Sequence, residues 1–134
     1  MNNKFFAFCF GGSNDYGKIA GEGDTFVINF PRDDEVGYGF AIRNKIDYDI
    51  PNNGVYNFSV HSDHKMNVTV EIKTESSGGA PEVAKTFAIM PGENEISGEI
   101  GSLSSRIKEV VLFIPRVNNP ELQTFFKLVS YKFN

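Results

Sequence analysis

PNNGVYNFSVHSDHKMNVTVEIK, residues 51–73, carries the clearest pattern in the chain. It opens on a turn, Pro51-Asn52-Asn53-Gly54, in which proline presets one backbone angle and Asn-Gly tolerates positive φ. From Val55 to His61 apolar and polar residues alternate. Tyr56, Phe58 and Val60 therefore share one side of a strand, and Asn57, Ser59 and His61 the other. A polar turn, Ser62-Asp63-His64-Lys65, follows. The alternation then resumes, with Met66, Val68, Val70 and Ile72 set against Asn67, Thr69, Glu71 and Lys73. A period of two on both arms predicts a long β-hairpin with one buried face. The rest of the chain must supply the apolar layer beneath it.

Towards the N-terminus, Tyr38, Phe40 and Ile42 share one face of a strand over 37–44, and Phe26, Ile28 and Phe30 one face of a strand over 25–30. Phe5 to Phe10 is largely aromatic and predicts a strand, buried on both faces or docking late. Cys9 within it reads as a packed strand residue. Gly11 to Gly17 reads as a loop. Towards the C-terminus, Glu75 to Pro81 reads as a flexible, insertion-tolerant loop, and strands are expected over 85–90, 95–100, 109–114 and 124–133. Glu109 to Ile114, EVVLFI, is apolar on both faces, so it sits centrally or turns one face to something other than water. About nine short strands between turn signals, with no convincing helix, predict an all-β, antiparallel β-sandwich forming one domain over 1–134.

Composition narrows the partners. The 134 residues carry a net charge of −4 with pI near 5.1 and no basic run, which speaks against nucleic acid and anionic membrane surfaces. No apolar run has the length of a membrane span. The opening residues only faintly imitate a signal peptide, being too short in their apolar part and lacking a small-residue cleavage site. A single cysteine allows no internal disulfide. Thirteen phenylalanines, five tyrosines, thirteen glycines and no tryptophan suit an antiparallel β-domain.

Catalytic signatures are missing: there is no G-x-S-x-G elbow, no H-E-x-x-H and no glycine loop that would cradle phosphate. The expectation is a protein that is not an enzyme. His61, Asp63 and His64 crowd one turn, a pattern that reads as a polar turn solvating itself, with a transition-metal site as the other reading. Glu22 and Asp24, in Gly21-Glu22-Gly23-Asp24, are candidate ligands for a structural calcium or simply a solvated acidic loop. No other cofactor is expected. Asn57-Phe58-Ser59 and Asn67-Val68-Thr69 match the glycosylation sequon. The polar face of the expected hairpin, Asn57, Ser59, His61, Asn67, Thr69, Glu71 and Lys73, would form a contiguous patch of donors and acceptors. Sugar recognition needs that chemistry together with an aromatic ring, for which Tyr16, Tyr38, Tyr48 and Phe113 are the candidates. The plainer reading is the polar outer face of any sandwich.

Ile50-Pro51, Gly54 to Ser59, Phe87-Ala88-Ile89-Met90-Pro91-Gly92-Glu93-Asn94, Val111 to Ile114 and Phe125 to Tyr131 follow one another in an order that resembles a known family. It resembles the jelly-roll carbohydrate-binding modules of glucanases and xylanases, which have galactose-binding-domain-like folds; similar modules occur on phage tail proteins. The resemblance covers residues 22 to 133. It implies a jelly roll that binds glycan without catalysis, on the concave sheet or at a loop edge. Those modules commonly carry a tryptophan or tyrosine platform, and their last strand often holds a calcium-ligating aspartate, where this chain has Lys127.

The expected function is a non-catalytic module for a polysaccharide or cell-surface glycan. Tyr16 or Tyr38 would stack on the sugar, and Arg43, Asn57, His61, Asn67 and Glu71 would bind hydroxyls. The expected setting is extracellular, cell-surface or virion-associated, within a larger enzyme or virion protein. An alternative resemblance runs through Gly54 to Val60, to the trimeric jelly rolls of the C1q and tumour-necrosis-factor type. It would make Val111, Phe113, Phe125 and Phe5–Phe10 subunit-interface residues; a structural module of a virion or cell surface, acting through protein contacts, is the third reading.

Overall fold

The computed structural model describes residues 5–10, 18–22, 25–30, 37–115 and 124–134. Ten strands run through them: β1 (Phe6–Phe10), β2 (Lys18–Glu22), β3 (Thr25–Phe30), β4 (Gly37–Arg43), β5 (Val55–Ser62), β6 (Met66–Thr74), β7 (Val83–Ile89), β8 (Gly92–Glu99), β9 (Ile107–Pro115) and β10 (Thr124–Phe133). No helix occurs among the described residues. The strand that sequence reading did not anticipate is β2, whose KIAGE is too short and too mixed to show a period.

Two five-stranded sheets result, ordered β1-β4-β9-β6-β7 (sheet A) and β2-β3-β10-β5-β8 (sheet B). Four of the antiparallel pairings, β3·β10, β4·β9, β5·β8 and β6·β7, are those of one two-stranded ribbon folded back at the connection after β6. Rolling that ribbon up adds β5·β10 and β6·β9 and sends successive steps to alternate sheets. This is jelly-roll order.

Rolling overturns the expected hairpin. β5 and β6 do not pair; they lie in opposite sheets, each with its alternate residues turned inward. Alternation specifies that a strand has one buried face, not which sheet it joins. The chain crosses between Ser62 and Met66, a reach of about 13–14 Å, enough for the roughly 10 Å between stacked sheets. Ser62 is fully buried at the crossing, and its Oγ donates to the His64 carbonyl at 2.6 Å while accepting the His64 N–H at 3.1 Å.

Between the sheets lies one apolar core. Phe40 of sheet A and Phe126 of sheet B are fully buried with ring centroids 5.6 Å apart. Val110, Leu112 and Ile114 of central strand β9 fill the same layer. Tyr48 closes one end by packing its ring on Tyr131 and Phe133 at 5.7 and 5.3 Å. Each large apolar side chain so buried contributes about 1.5–3 kcal/mol.

Two turns show detail that the sequence did not give. In Pro51–Gly54 the positive φ belongs to Asn53, at 56°. Gly54 is needed for closeness instead, because a Cβ there would come within 2.5 Å of the Asn134 carbonyl oxygen. The connection read as flexible is tied down at its base. Glu82 accepts hydrogen bonds from Thr74 Oγ1, Ser104 Oγ and the Ser104 N–H at 2.6–2.8 Å, and Ser76 Oγ bonds the hydroxyls of Ser104 and Ser105. Gly78, Gly79 and Ala80 at its tip are exposed.

Candidate functional site

The outer face of sheet A is set by cross-strand register. Gly39, Phe113, Thr69 and Thr86 form one row across β4, β9, β6 and β7; Ala41, Val111, Glu71 and Ala84 form the next; Arg43, Glu109 and Lys73 form the last. Ala41 and Val111 are fully buried although they lie outside the core cluster between the sheets. The centre of this outer face is therefore apolar and shielded. This is the second apolar side of EVVLFI, for which the sequence offered a central place or a face turned to something other than water.

Phe113, half-buried, dominates that centre. Its ring reaches over β4 at Gly37, where an ideal Cβ would lie 2.7 Å from Phe113 Cζ and 2.8 Å from the Ile114 carbonyl oxygen. Only the absence of a side chain at position 37 lets the ring lie there. Polar groups border it: Asn67 and Glu71 of β6 are half-buried, and Thr69 and Thr86 share a hydroxyl–hydroxyl bond of 2.9 Å. Burial pushes the Glu71 carboxyl above its ordinary range; Lys73 works against that shift and Glu109 adds to it.

At the far end of the face, Arg43 forms a two-pronged pair with Asp47, Nε–Oδ2 at 2.7 Å and Nη2–Oδ1 at 3.0 Å, and Asp47 also accepts the Arg43 N–H. The hydrogen bonds to Asp47 hold the guanidinium proton more tightly than usual, with Glu109 adding a smaller share. One partly exposed aromatic ring, bordered by amide, hydroxyl and carboxylate groups, suits a ligand with an apolar ring face and polar edges.

Asn57 and His61 are elsewhere. They lie on the outer face of sheet B, so the contiguous patch expected from the hairpin does not exist. There β5 is satisfied by its neighbour β8: Asn57 Nδ2 donates to Ser97 Oγ at 2.8 Å, Ser59 Oγ to Glu95 at 2.6 Å, and His61 Nδ1 stands 3.3 Å from Glu93. His61 Nε2 is 3.6 Å from Asp63. No group of three or more metal-binding side chains gathers among the described residues.

Tyr38 faces the core at 5 % exposure and cannot present a ring to a ligand, because its inward parity places it with Phe40 and Ile42. Tyr48 is likewise held in packing. Tyr16 and Asp24 lie outside the described residues; Glu22 ends β2, paired with Thr25. Of the expected contacts, Arg43, Asn67 and Glu71 share sheet A with Phe113. Sequence reading missed Glu109 and Thr86, whose membership depends on which strands pair. Val111, assigned to a subunit interface by the trimer reading, is already fully buried within one chain.

Similar architectures are known. No family model matches the sequence, and no curated protein does either. Among solved structures, a module described as CBM4 superposes with a TM-score of 0.63 at 8 % identity, over 97 % of this chain and 94 % of that one. This chain has the fold of the jelly-roll carbohydrate-binding modules. A CBM29-2 mutant complexed with cellohexaose matches with a TM-score of 0.54 at 7 % identity, over 97 % of this chain and 79 % of its own. PfGH50B matches with a TM-score of 0.69 at 6 % identity; the match covers 99 % of the present chain but only 23 % of that longer one. At such identities the likeness is one of fold.

Proposed function

We propose that the chain is a non-catalytic carbohydrate-binding module and that its binding face is the outer face of sheet A. The observation that carries this reading is Phe113, a half-buried ring over Gly37 at the surface of that face, together with Asn67, Thr69, Glu71 and Arg43. The apolar side of a pyranose lies on the ring, and its hydroxyls bond the bordering groups. Each such bond replaces one to water, so single polar contacts add little and the ring carries most of the affinity. A solved relative in fold holds a hexasaccharide, which supports the ligand class.

The module acts on a polysaccharide or surface glycan outside the cell or on a virion, as part of a larger protein. Calcium is an accessory to this reading. Glu22 and Asp24 would supply carboxylates, and a melting temperature that falls on adding a chelator is the expected sign.

Affinity electrophoresis against a panel of soluble polysaccharides, with reducing ends assayed in the same samples, tests the proposal. Phe113→Ala should abolish retardation and Glu71→Gln should weaken it, while Asn57→Ala and His61→Ala bind as the parent does and no reducing ends appear. Retention by Phe113→Ala with loss in His61→Ala would move the site to sheet B and overturn this assignment.

A further inference from the structure

Beyond the row of Arg43, Glu109 and Lys73, the sheet A face opens into a pocket of about 430 Å³. It is a built feature. The register of β9 against β6 skips one residue, from Lys73 opposite Glu109 to Thr74 opposite Ile107, so Lys108 is the extra residue of a β-bulge. Bulges re-aim side chains, and here the sequence neighbours Lys108 and Glu109 both line the pocket. Asn44 holds the bulge in place. Its backbone N–H donates to the Lys108 carbonyl at 2.8 Å, its Nδ2 to the Ile107 carbonyl at 2.9 Å, and its Oδ1 accepts the Ile50 N–H. Ile46, 70 % exposed on the adjoining turn, supplies an apolar wall.

Charges in the pocket are unequally committed. Arg43 is engaged by Asp47. Glu109 stands in register between Arg43 and Lys73, two opposite charges. Arg106 and Lys108 are exposed, and no carboxylate among the described residues lies within ion-pair distance of either. Glu75 is the remaining acid of the lining and offsets one of them. A single positive charge is left over, in a chain whose net charge is −4. One monoanionic group satisfies it.

We propose that this pocket receives an anionic substituent, a carboxylate or a sulfate ester, of the glycan lying on the sheet A face, held by Arg106 and Lys108. The inference rests on the reading of that face as carbohydrate-binding and names the substrate class, an acidic glycan. Arg106 supplies a planar fork suited to two anionic oxygens, and Lys108 a point charge. Affinity for the anionic group should therefore fall with added salt, while stacking on Phe113 should not.

The test is a chemical-shift titration of the isotope-labelled protein with glucose, glucuronate and glucose 6-sulfate, and with galactose, galacturonate and galactose 6-sulfate, at low and high salt. In at least one series the charged sugar should shift the amides of 106–109 at a concentration at least tenfold below its neutral parent. The Arg106→Gln/Lys108→Gln double variant should erase that advantage and leave the neutral sugar's affinity unchanged. Preference for the acid or for the ester identifies the source of the charge. Neutral and charged sugars binding alike, or a double variant that keeps the preference, overturns the proposal while the carbohydrate reading stands. If no sugar of either kind, and no polysaccharide of the panel, perturbs sheet A, the carbohydrate reading itself fails.

Discussion

Glu71 stands directly opposite Val111 in the antiparallel register of β6 and β9, a carboxylate set beside a fully buried valine on the outward side of a sheet. Burial makes ionisation of Glu71 harder in the folded chain than in the unfolded one. The stabilising share of the protonated form is present below the unfolded value and is lost as pH rises through the raised folded value. Glu71→Gln should therefore equal or exceed the parent in stability at pH 7, with the difference shrinking below about pH 4.5. Urea unfolding of both proteins at several pH values checks this; a variant less stable than the parent at pH 7 would count against it.

Glu82 should show the opposite sign. Its hydrogen bonds from Ser104 and Thr74 hold the carboxyl below its ordinary range, the Ser104 hydroxyl having the largest effect. Stability from this clasp is present above the unfolded value and lost as pH falls through the depressed folded value. Glu82→Ala should lower the melting temperature at pH 7, increase hydrogen exchange over 75–82, and converge with the parent in strong acid. Unchanged exchange at pH 7 would mean that the serine contacts hold the connection without Glu82.

Gly37→Ala should be costly, because its Cβ would strike both the Phe113 ring and the Ile114 carbonyl oxygen. Overpacking of this kind costs about 1–3 kcal/mol. Combining it with Phe113→Ala should relieve only the ring's share of that cost, leaving the clash with the Ile114 carbonyl oxygen, and should not restore glycan binding. Denaturant midpoints of the two single variants and the double variant give the coupling; additive effects would show that ring and glycine do not meet.

Ser62→Ala removes the hydroxyl that both donates to and accepts from His64 at the crossing between sheets. With Ser62 fully buried, leaving those backbone groups without a partner should cost about 1–3 kcal/mol. Equilibrium unfolding measures it, and a loss below about 0.5 kcal/mol would mean that the crossing is held by packing alone.

Several readings could be made along the chain because their cause is local. The inward sets Tyr56, Phe58, Val60 and Met66, Val68, Val70, Ile72 are all buried as alternation required. The two-sided apolarity of EVVLFI predicted a central place or a face turned from water, and the strand has both. Tyr38 was misread against the logic that placed Phe40 correctly: its parity put it inside, and only its phenol suggested otherwise.

Alternation of side chains, turn chemistry and composition therefore determined, from sequence alone, a strand-rich sandwich and the inward set of most of its strands. Sheet membership was decided by the tertiary structure. Local chemistry has period two and carries no label for the partner strand, whereas the rolling of the ribbon depends on contacts between residues tens of positions apart. That rolling separated Asn57 and His61 from Asn67 and Glu71. It also brought Arg43, Glu71, Glu109 and Phe113, scattered over most of the chain, onto one face.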